Sequence, residues 1–451
     1  MKRGQRKTGA PVLRGKCWFI LTVAFLSQSS LKATSGDLST AERIVGLTKL
    51  YMEVKYNFAN WDNVPELDWD KTFTEYLSKV EKEQTDEEYY LTLKKFISLL
   101  HDGHTDVFYP KQILGGLEIP PVIIRPIEGK AIILNFAATD ECRKAGLTNG
   151  LEVTKVEGRP ISEILEKDLF PSVAASTVQG RNLESYRLLM LGRKGTKVSF
   201  EVRDREGTIR VLSLTRNLSD TPRELRPPEW NPPLLVHKVI EEGIHYFALN
   251  SFANEKIVDD FDAAFDSLRD IKGLIFDVRR NSGGSDGNGF QIIGRIIDKP
   301  LRTSILQTIQ YNPRFRARGN EIDRFWLTIT NNEIKPRGLK PYVGPVVVLT
   351  SAFTASAAED FLIPLDYGRR ATTVGERTAG TTGLPLYIDL PGGGRARICT
   401  TRDTYPDGRK WVGVGIIPHI EVYPRREDVL QGRDAVFEKG LEVLRQKIKG
   451  D

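Results

Sequence analysis

The chain has 451 residues, 40% of them apolar and 27% charged, which suits a globular protein of two or three domains with separate cores. Its formal net charge of +6 is an N-terminal effect: residues 1–36 hold seven bases and no acid, and 65 minus 7 leaves 58 bases against 59 acids. That balance excludes a basic nucleic-acid surface, no Cys/His spacing suits zinc, and no glycine-rich loop carries a phosphate-binding lysine. Neither a metal nor an organic cofactor is expected.

The basic start runs into Cys17–Leu26, an apolar stretch followed by small and polar residues. This is the order of a secretory signal peptide, assigned to residues 1–36, and the stretch is too short for an ordinary membrane span of roughly 20 residues. The mature protein is therefore expected in the periplasm or outside the cell, with no stable membrane span. Only Cys142 and Cys399 then remain, enough for one disulfide or two separate buried thiols.

Residues 37–112 read as a helical domain, with helical patterns at 41–54, 70–82 and 85–100. They end at the turn Leu100-His101-Asp102-Gly103-His104-Thr105. Residues 113–216 carry short strand signals at 122–124, 131–134, 151–156, 198–202 and 210–214, with one helix at 182–191. Residues 217–236 are proline-rich and polar, a linker by composition. From 237 to 425 strands and helices alternate, with strands at 246–249, 274–278 and 343–349 and helices at 259–268, 289–297 and 357–365. Near-continuous apolar strands in such alternation predict an α/β core whose parallel sheet is buried on both faces. Residues 426–451 are assigned to a C-terminal helix.

Ligand sites in such cores lie beyond the carboxyl ends of the strands, and two of those ends carry chemistry. One strand ends in Arg279-Arg280-Asn281-Ser282-Gly283-Gly284, where the absence of Cβ atoms lets backbone N–H groups approach a ligand. The other ends in Thr354-Ala355-Ser356-Ala357-Ala358-Glu359-Asp360, a small hydroxyl residue at a sharp turn into a helix. If the strands are neighbours, the Gly283 and Ala357 N–H groups face one oxygen beside Ser356, as in an oxyanion hole.

The segment Ala145–Ile161 resembles the central signature of a PDZ domain, which implies a sheet edge able to take an extended chain end. Phe276–Gly284 and Ser351–Asp360 resemble two motifs of the tail-specific, or C-terminal-processing, serine peptidases, and Gly375–Gly380 resembles the glycine turn that follows them. Together these span roughly residues 40 to 425. The resemblance implies a multi-domain α/β protein with a helical N-terminal cap, a PDZ-like β-rich domain and a catalytic core of the ClpP/crotonase type. It implies Ser356 as nucleophile and Gly283 and Ala357 as oxyanion donors, with protein or peptide substrates. Assembly into a homo-oligomer is compatible with it.

The family's usual lysine base follows the nucleophile by about 25 residues, but Thr381 stands there and no lysine lies between Ser356 and Lys410. The tricorn-like branch instead takes a histidine from before the PDZ segment, and His104 occupies that place. His101, His237, His245 and His419 match no motif. That branch orients its histidine with a glutamate near the end of the core, and none appears within residues 402–415. Asp403 is the carboxylate assigned to the task, with Asp407 read as a turn residue because Gly408 follows it. The leading reading is an exported serine endopeptidase. Its alternatives are a non-catalytic binding protein of the same fold and a scaffold that works through its PDZ-like unit.

Overall fold

The computed structural model describes residues 37–450 apart from 83, 320–323, 331 and 339. The expected signal peptide at 1–36 lies outside the described residues. The N-terminal unit is three helices, α1 (Thr40–Asn57), α2 (Trp69–Val80) and α3 (Asp86–Ser98). Ser39 with Glu42 and Thr85 with Glu88 form capping boxes, which satisfy first-turn N–H groups and set where two of the helices begin. After α3 the chain turns through His104 into β1 (Asp106–Phe108).

Five antiparallel strands form the second unit: β2 (Val122–Ile127), β3 (Lys130–Phe136), β4 (Glu152–Val156), β5 (Lys197–Arg203) and β6 (Ile209–Thr215), paired in that order. Helix α4 (Val178–Leu188), capped by Thr177, packs along the edge strand β2. The proline-rich segment after β6 is a series of short turns at 218–220, 223–225 and 228–230, one of which bonds back to Ala138.

The core sheet begins with β7 (Leu235–Glu241) and β8 (Ile244–Leu249), followed by α5 (Lys256–Asp266), β9 (Gly273–Asp277) and α6 (Asp286–Gly294). Strands β10 (Ile305–Tyr311) and β11 (Arg324–Thr330) form a hairpin outside it. Next come β12 (Val346–Thr350), α7 (Ala357–Tyr367), β13 (Thr372–Gly375), the hairpin β14 (Pro385–Asp389) and β15 (Arg395–Cys399), β16 (Thr401–Thr404) and β17 (Ile420–Glu421). Helix α8 (Ala435–Gly450) closes the chain. The sheet order is β7-β8-β9-β12-β13-β17, parallel from β8 onward.

Every residue of β9 and β12 is buried, as the apolar runs predict for strands covered on both faces. Leu274, Phe276, Val346 and Val348 point toward α5, α6 and α7, whereas Ile275, Val347 and Leu349 point toward α8. This alternation is the two-residue period of a strand expressed as two hydrophobic layers.

One arrangement has no counterpart in the linear reading. Hairpin β14–β15 leaves the core and pairs with β1, Val107 opposite Ala396. Its Ile388, Leu390, Ala396 and Ile398 complete the hydrophobic core of the N-terminal helices. Strands β10, β11 and β16 form a further small sheet, β11-β10-β16, that the alternation pattern does not announce. Cys142 and Cys399 are free, buried thiols in different hydrophobic clusters.

Phe276 is fully buried on the strand that leads into the Gly-Gly turn. Phe276→Ala is expected to destabilise the core by about 3–5 kcal/mol, read from chemical denaturation. A loss below about 1 kcal/mol contradicts this packing.

Candidate active site

The two strands carrying the motifs are adjacent, Asp277 beside Leu349, so both turns emerge at one edge of the sheet with the loop after β13 next to them. Side-chain and backbone hydrogen bonds stitch the three loops together. Thr354 Oγ1 donates to the Val278 carbonyl at 2.9 Å, Ser351 Oγ to the Arg279 carbonyl at 2.7 Å, and the Ala379 N–H to the Thr354 carbonyl at 2.9 Å.

Ser356 sits at the head of α7 with φ 56° and ψ −133°. A serine pays a steric penalty at positive φ, and such strain persists only where its surroundings enforce it. Here the Ser356 N–H donates both to the Thr381 carbonyl at 2.8 Å and to Glu359 Oε2 at 3.1 Å. The Glu359 carboxyl is fully buried and also accepts from the Gly380 N–H at 2.7 Å, the Thr381 N–H at 3.0 Å and the Thr378 hydroxyl. Burial pushes this carboxyl up to about 8, although its four donors favour the carboxylate.

His104 reaches this point from the other end of the chain. Its Nε2 lies 3.1 Å from Ser356 Oγ, and its Nδ1 lies 2.8 Å from Thr381 Oγ1. The turn is held by Asp102, whose Oδ1 accepts the His104 backbone N–H at 2.9 Å and whose Oδ2 accepts from Asn60 at 2.8 Å. Arg397 on β15 donates to the Gly103 carbonyl at 2.6 Å, and the Cys399 N–H donates to Thr105 Oγ1 at 3.0 Å. Burial, with a smaller contribution from the Arg397 charge, pushes His104 down to about 3, so the ring is neutral at physiological pH.

The two N–H groups expected as oxyanion donors are not equivalent. Gly283 has φ 106°, and a Cβ there would lie 2.6 Å from Ser356 Cβ, so the backbone approaches as the Gly-Gly turn predicts. Its N–H, however, donates to the Asn281 side chain at 2.9 Å. Asn281 is itself fixed by a bond from its amide to the Leu249 carbonyl at 2.9 Å. The Ala357 N–H belongs to the first turn of α7, where backbone donors lack intrahelical acceptors.

Asp403 does not orient His104; this expectation is corrected. It points inward from β16, where its Oδ1 accepts from Ser304 at 3.3 Å, and the place at Nδ1 belongs to Thr381. Its neighbour is instead Asp360 on α7, and Asp403 Oδ2 and Asp360 Oδ1 are buried without hydrogen-bond partners. Burial pushes both carboxyls up, and the charge of Asp360 adds to the shift of Asp403. Asp407 is a turn residue, accepting from the Arg409 N–H and guanidinium.

Thr381, Glu359, Asn281 and Arg397 carry no role in the sequence reading. Only Glu359 left a local trace, standing three residues after Ser356 at capping-box spacing.

Residues 243–422 match the model of peptidase family S41. The carboxy-terminal-processing protease of Bartonella bacilliformis is 26% identical over 309 residues, 67% of this chain and 66% of that protein's length. The chloroplastic C-terminal processing peptidase of Tetradesmus obliquus is 22% identical over 408 residues, 87% of this chain and 78% of that one. The core of the chain is thus similar to peptidase family S41. Its fold is shared with mature CPAF, solved in complex with lactacystin, at a TM-score of 0.71 and 15% identity over 91% of this chain and 99% of that one. With this peptidase domain and these relatives it is a serine-type peptidase acting on proteins.

Asp403→Asn separates the two views of that residue. Folded carboxyls raised above their ordinary range of about 4 hold their proton, so the stability they contribute is present below that range and is lost as pH rises through the folded values. The variant is expected to melt higher than wild type at pH 8, with a smaller difference at pH 5, and to keep turnover within about threefold. A fall of about 10²–10⁴ in turnover would return Asp403 to the base.

Proposed function

We propose that this S41-like peptidase cleaves peptide bonds through a Ser356 nucleophile activated by His104. The observation that carries the reading is the 3.1 Å separation of His104 Nε2 from Ser356 Oγ, two residues brought together from positions 252 apart. Neutral His104 accepts the Ser356 proton as Oγ attacks the substrate carbonyl, then returns it to the leaving amine. Water repeats the cycle on the acyl-enzyme. The Ala357 N–H receives the developing oxyanion, and the Gly283 N–H joins it by sharing or exchanging its bond to Asn281. Asn281 thus sets how much of the oxyanion site stands ready before substrate arrives.

The β-rich unit serves as a PDZ-like docking module. A cavity of about 800 Å³ lies between it and the core, lined by Arg125 and Gly129 beside the edge strand, Gln179, Asn182 and Tyr186 of α4, and Glu376 of the core. An extended chain end laid along β2 occupies this space by β-augmentation. Contact with the site is short: Thr177 Oγ1 donates to the Ala379 carbonyl at 2.8 Å, and Gln179 Nε2 to the Thr378 carbonyl at 2.9 Å. The basic and apolar start of the chain supports export as the setting in which the enzyme works. Among the described residues, no helix is long and apolar enough to cross a membrane.

A fluorophosphonate probe tests the nucleophile: labelling of wild type that disappears in Ser356→Ala is expected, and no labelling of folded protein between pH 5 and 9 favours a non-catalytic binder. His104→Ala is expected to lower turnover by about 10²–10⁴ while His101→Ala stays near wild type. Near-normal turnover in the His104 variant defeats the assignment. For docking, Asn182→Trp fills the cavity and is expected to raise KM for a protein substrate while leaving cleavage of a short chromogenic peptide unchanged. Equal effects on both substrates count against a docking role.

A further inference from the structure

A histidine base needs its proton on the nitrogen that does not face the nucleophile, and that N–H needs an acceptor. In a Ser-His-Asp triad the acceptor is a buried carboxylate, which also stabilises the imidazolium. Around His104 the charged and titratable groups are Asp102 on its own turn, Arg397 and Cys399 on β15, and Glu359 on α7. None of them meets the ring at Nδ1. Asp102 is taken up by the His104 backbone and Asn60, Arg397 by the Gly103 carbonyl, and Glu359 by the nucleophile turn. The atom at Nδ1 is Thr381 Oγ1, at 2.8 Å.

That hydroxyl is placed by the nucleophile's own turn. The Thr381 carbonyl accepts the Ser356 N–H at 2.8 Å, and the Thr381 N–H donates to Glu359 Oε2 at 3.0 Å. Both backbone ends of Thr381 are therefore pinned to the segment that carries Ser356. Across from it, a Cβ on Gly103 would stand 2.9 Å from Thr381 Oγ1, so glycine at 103 is what lets the hydroxyl reach the ring.

Resting on the Ser356/His104 reading, we propose that Thr381 is the positioning residue of the base, its hydroxyl accepting the His104 Nδ1–H where a triad places a carboxylate. The hydroxyl fixes the tautomer, so Nε2 presents a lone pair to Ser356. It brings no negative charge to the imidazolium. Thr381 stands where lysine serves as the base in relatives with a Ser/Lys pair, so one backbone position supplies the activating group in one case and the orienting group in the other.

The test uses the full chain with fluorescein-labelled casein as substrate. Thr381→Val keeps the shape and removes the acceptor, and is expected to lower kcat by about 10–100-fold with KM within twofold of wild type. Thr381→Ser keeps the hydroxyl and is expected to stay within threefold of wild type. A Val variant within twofold of wild type in kcat overturns the proposal, as does a Ser variant as impaired as the Val variant. Nitrogen NMR of ¹⁵N-histidine-labelled Ser356→Ala protein, with His104 assigned by comparison with a His104→Gln version, gives a reading that does not need the Val variant to fold. The Nδ1–H tautomer is expected, and the Nε2–H tautomer overturns the proposal. A carboxylate introduced by Thr381→Asp stabilises the protonated ring, so the acid limb of kcat/KM moves to higher pH, and an unmoved limb overturns the proposal. Failure of the underlying reading is distinct, because wild type then shows no fluorophosphonate labelling at Ser356.

Discussion

The site depends on the parallel placement of three strands. With β9, β12 and β13 side by side and pointing the same way, the Gly-Gly turn, the Ser356 turn and the loop ending at Thr381 must emerge together at one edge of the sheet. Register alone brings the loops near one another. The Glu359 carboxyl fixes two of them to each other by accepting from Ser356 at the head of its own helix and from Thr378, Gly380 and Thr381 across the gap. A buried carboxyl with four donors is costly to leave unmatched, so the loops gain a single low-energy arrangement. The positive φ of Ser356 is sustained by this same group.

Electrostatics around the base run opposite to those of a carboxylate-assisted triad. Burial and Arg397 favour the neutral ring, and the hydroxyl at Nδ1 orients without attracting a proton. In the proposed mechanism such a base is available over a wide pH range but is weak, and the charged intermediate receives little stabilisation from its partner. That proposal leaves more of the work to the oxyanion side, where the Asn281 bond to the Gly283 N–H divides a free donor from an engaged one. Nucleophile, base and oxyanion turn differ in how firmly each is held before substrate binds.

Much of this was legible in the sequence because it is local. The near-continuous apolar runs at Leu274–Val278 and Val343–Leu349 announce strands buried on both faces, and the turns that follow carry their chemistry within a few residues. That His104 meets Ser356 could be read only through family resemblance, since nothing local links residues 252 apart. The group proposed to orient the ring left no local signature. A threonine carries no mark of such a role in sequence, and Asp403 fits the role by residue type alone although its strand aims it at Asp360. The small sheet β11-β10-β16 escaped because Ile305–Tyr311 is only half buried along its length and pairs with a strand some 95 residues away.

The hairpin β14–β15 has a consequence for the order in which the molecule becomes itself. The N-terminal helices leave the ribosome first, but Ile388, Ala396 and Ile398, which finish their core, and Arg397 and Cys399, which brace the turn of the base, arrive some 290 residues later. Until then the His104 turn has no β-partner and its helices have an open apolar side. A nascent or C-terminally truncated chain can therefore carry His104, Ser356 and Thr381 and still lack the framework that aligns them. The framework that aligns the site is therefore complete only when synthesis is nearly finished, a timing written into topology.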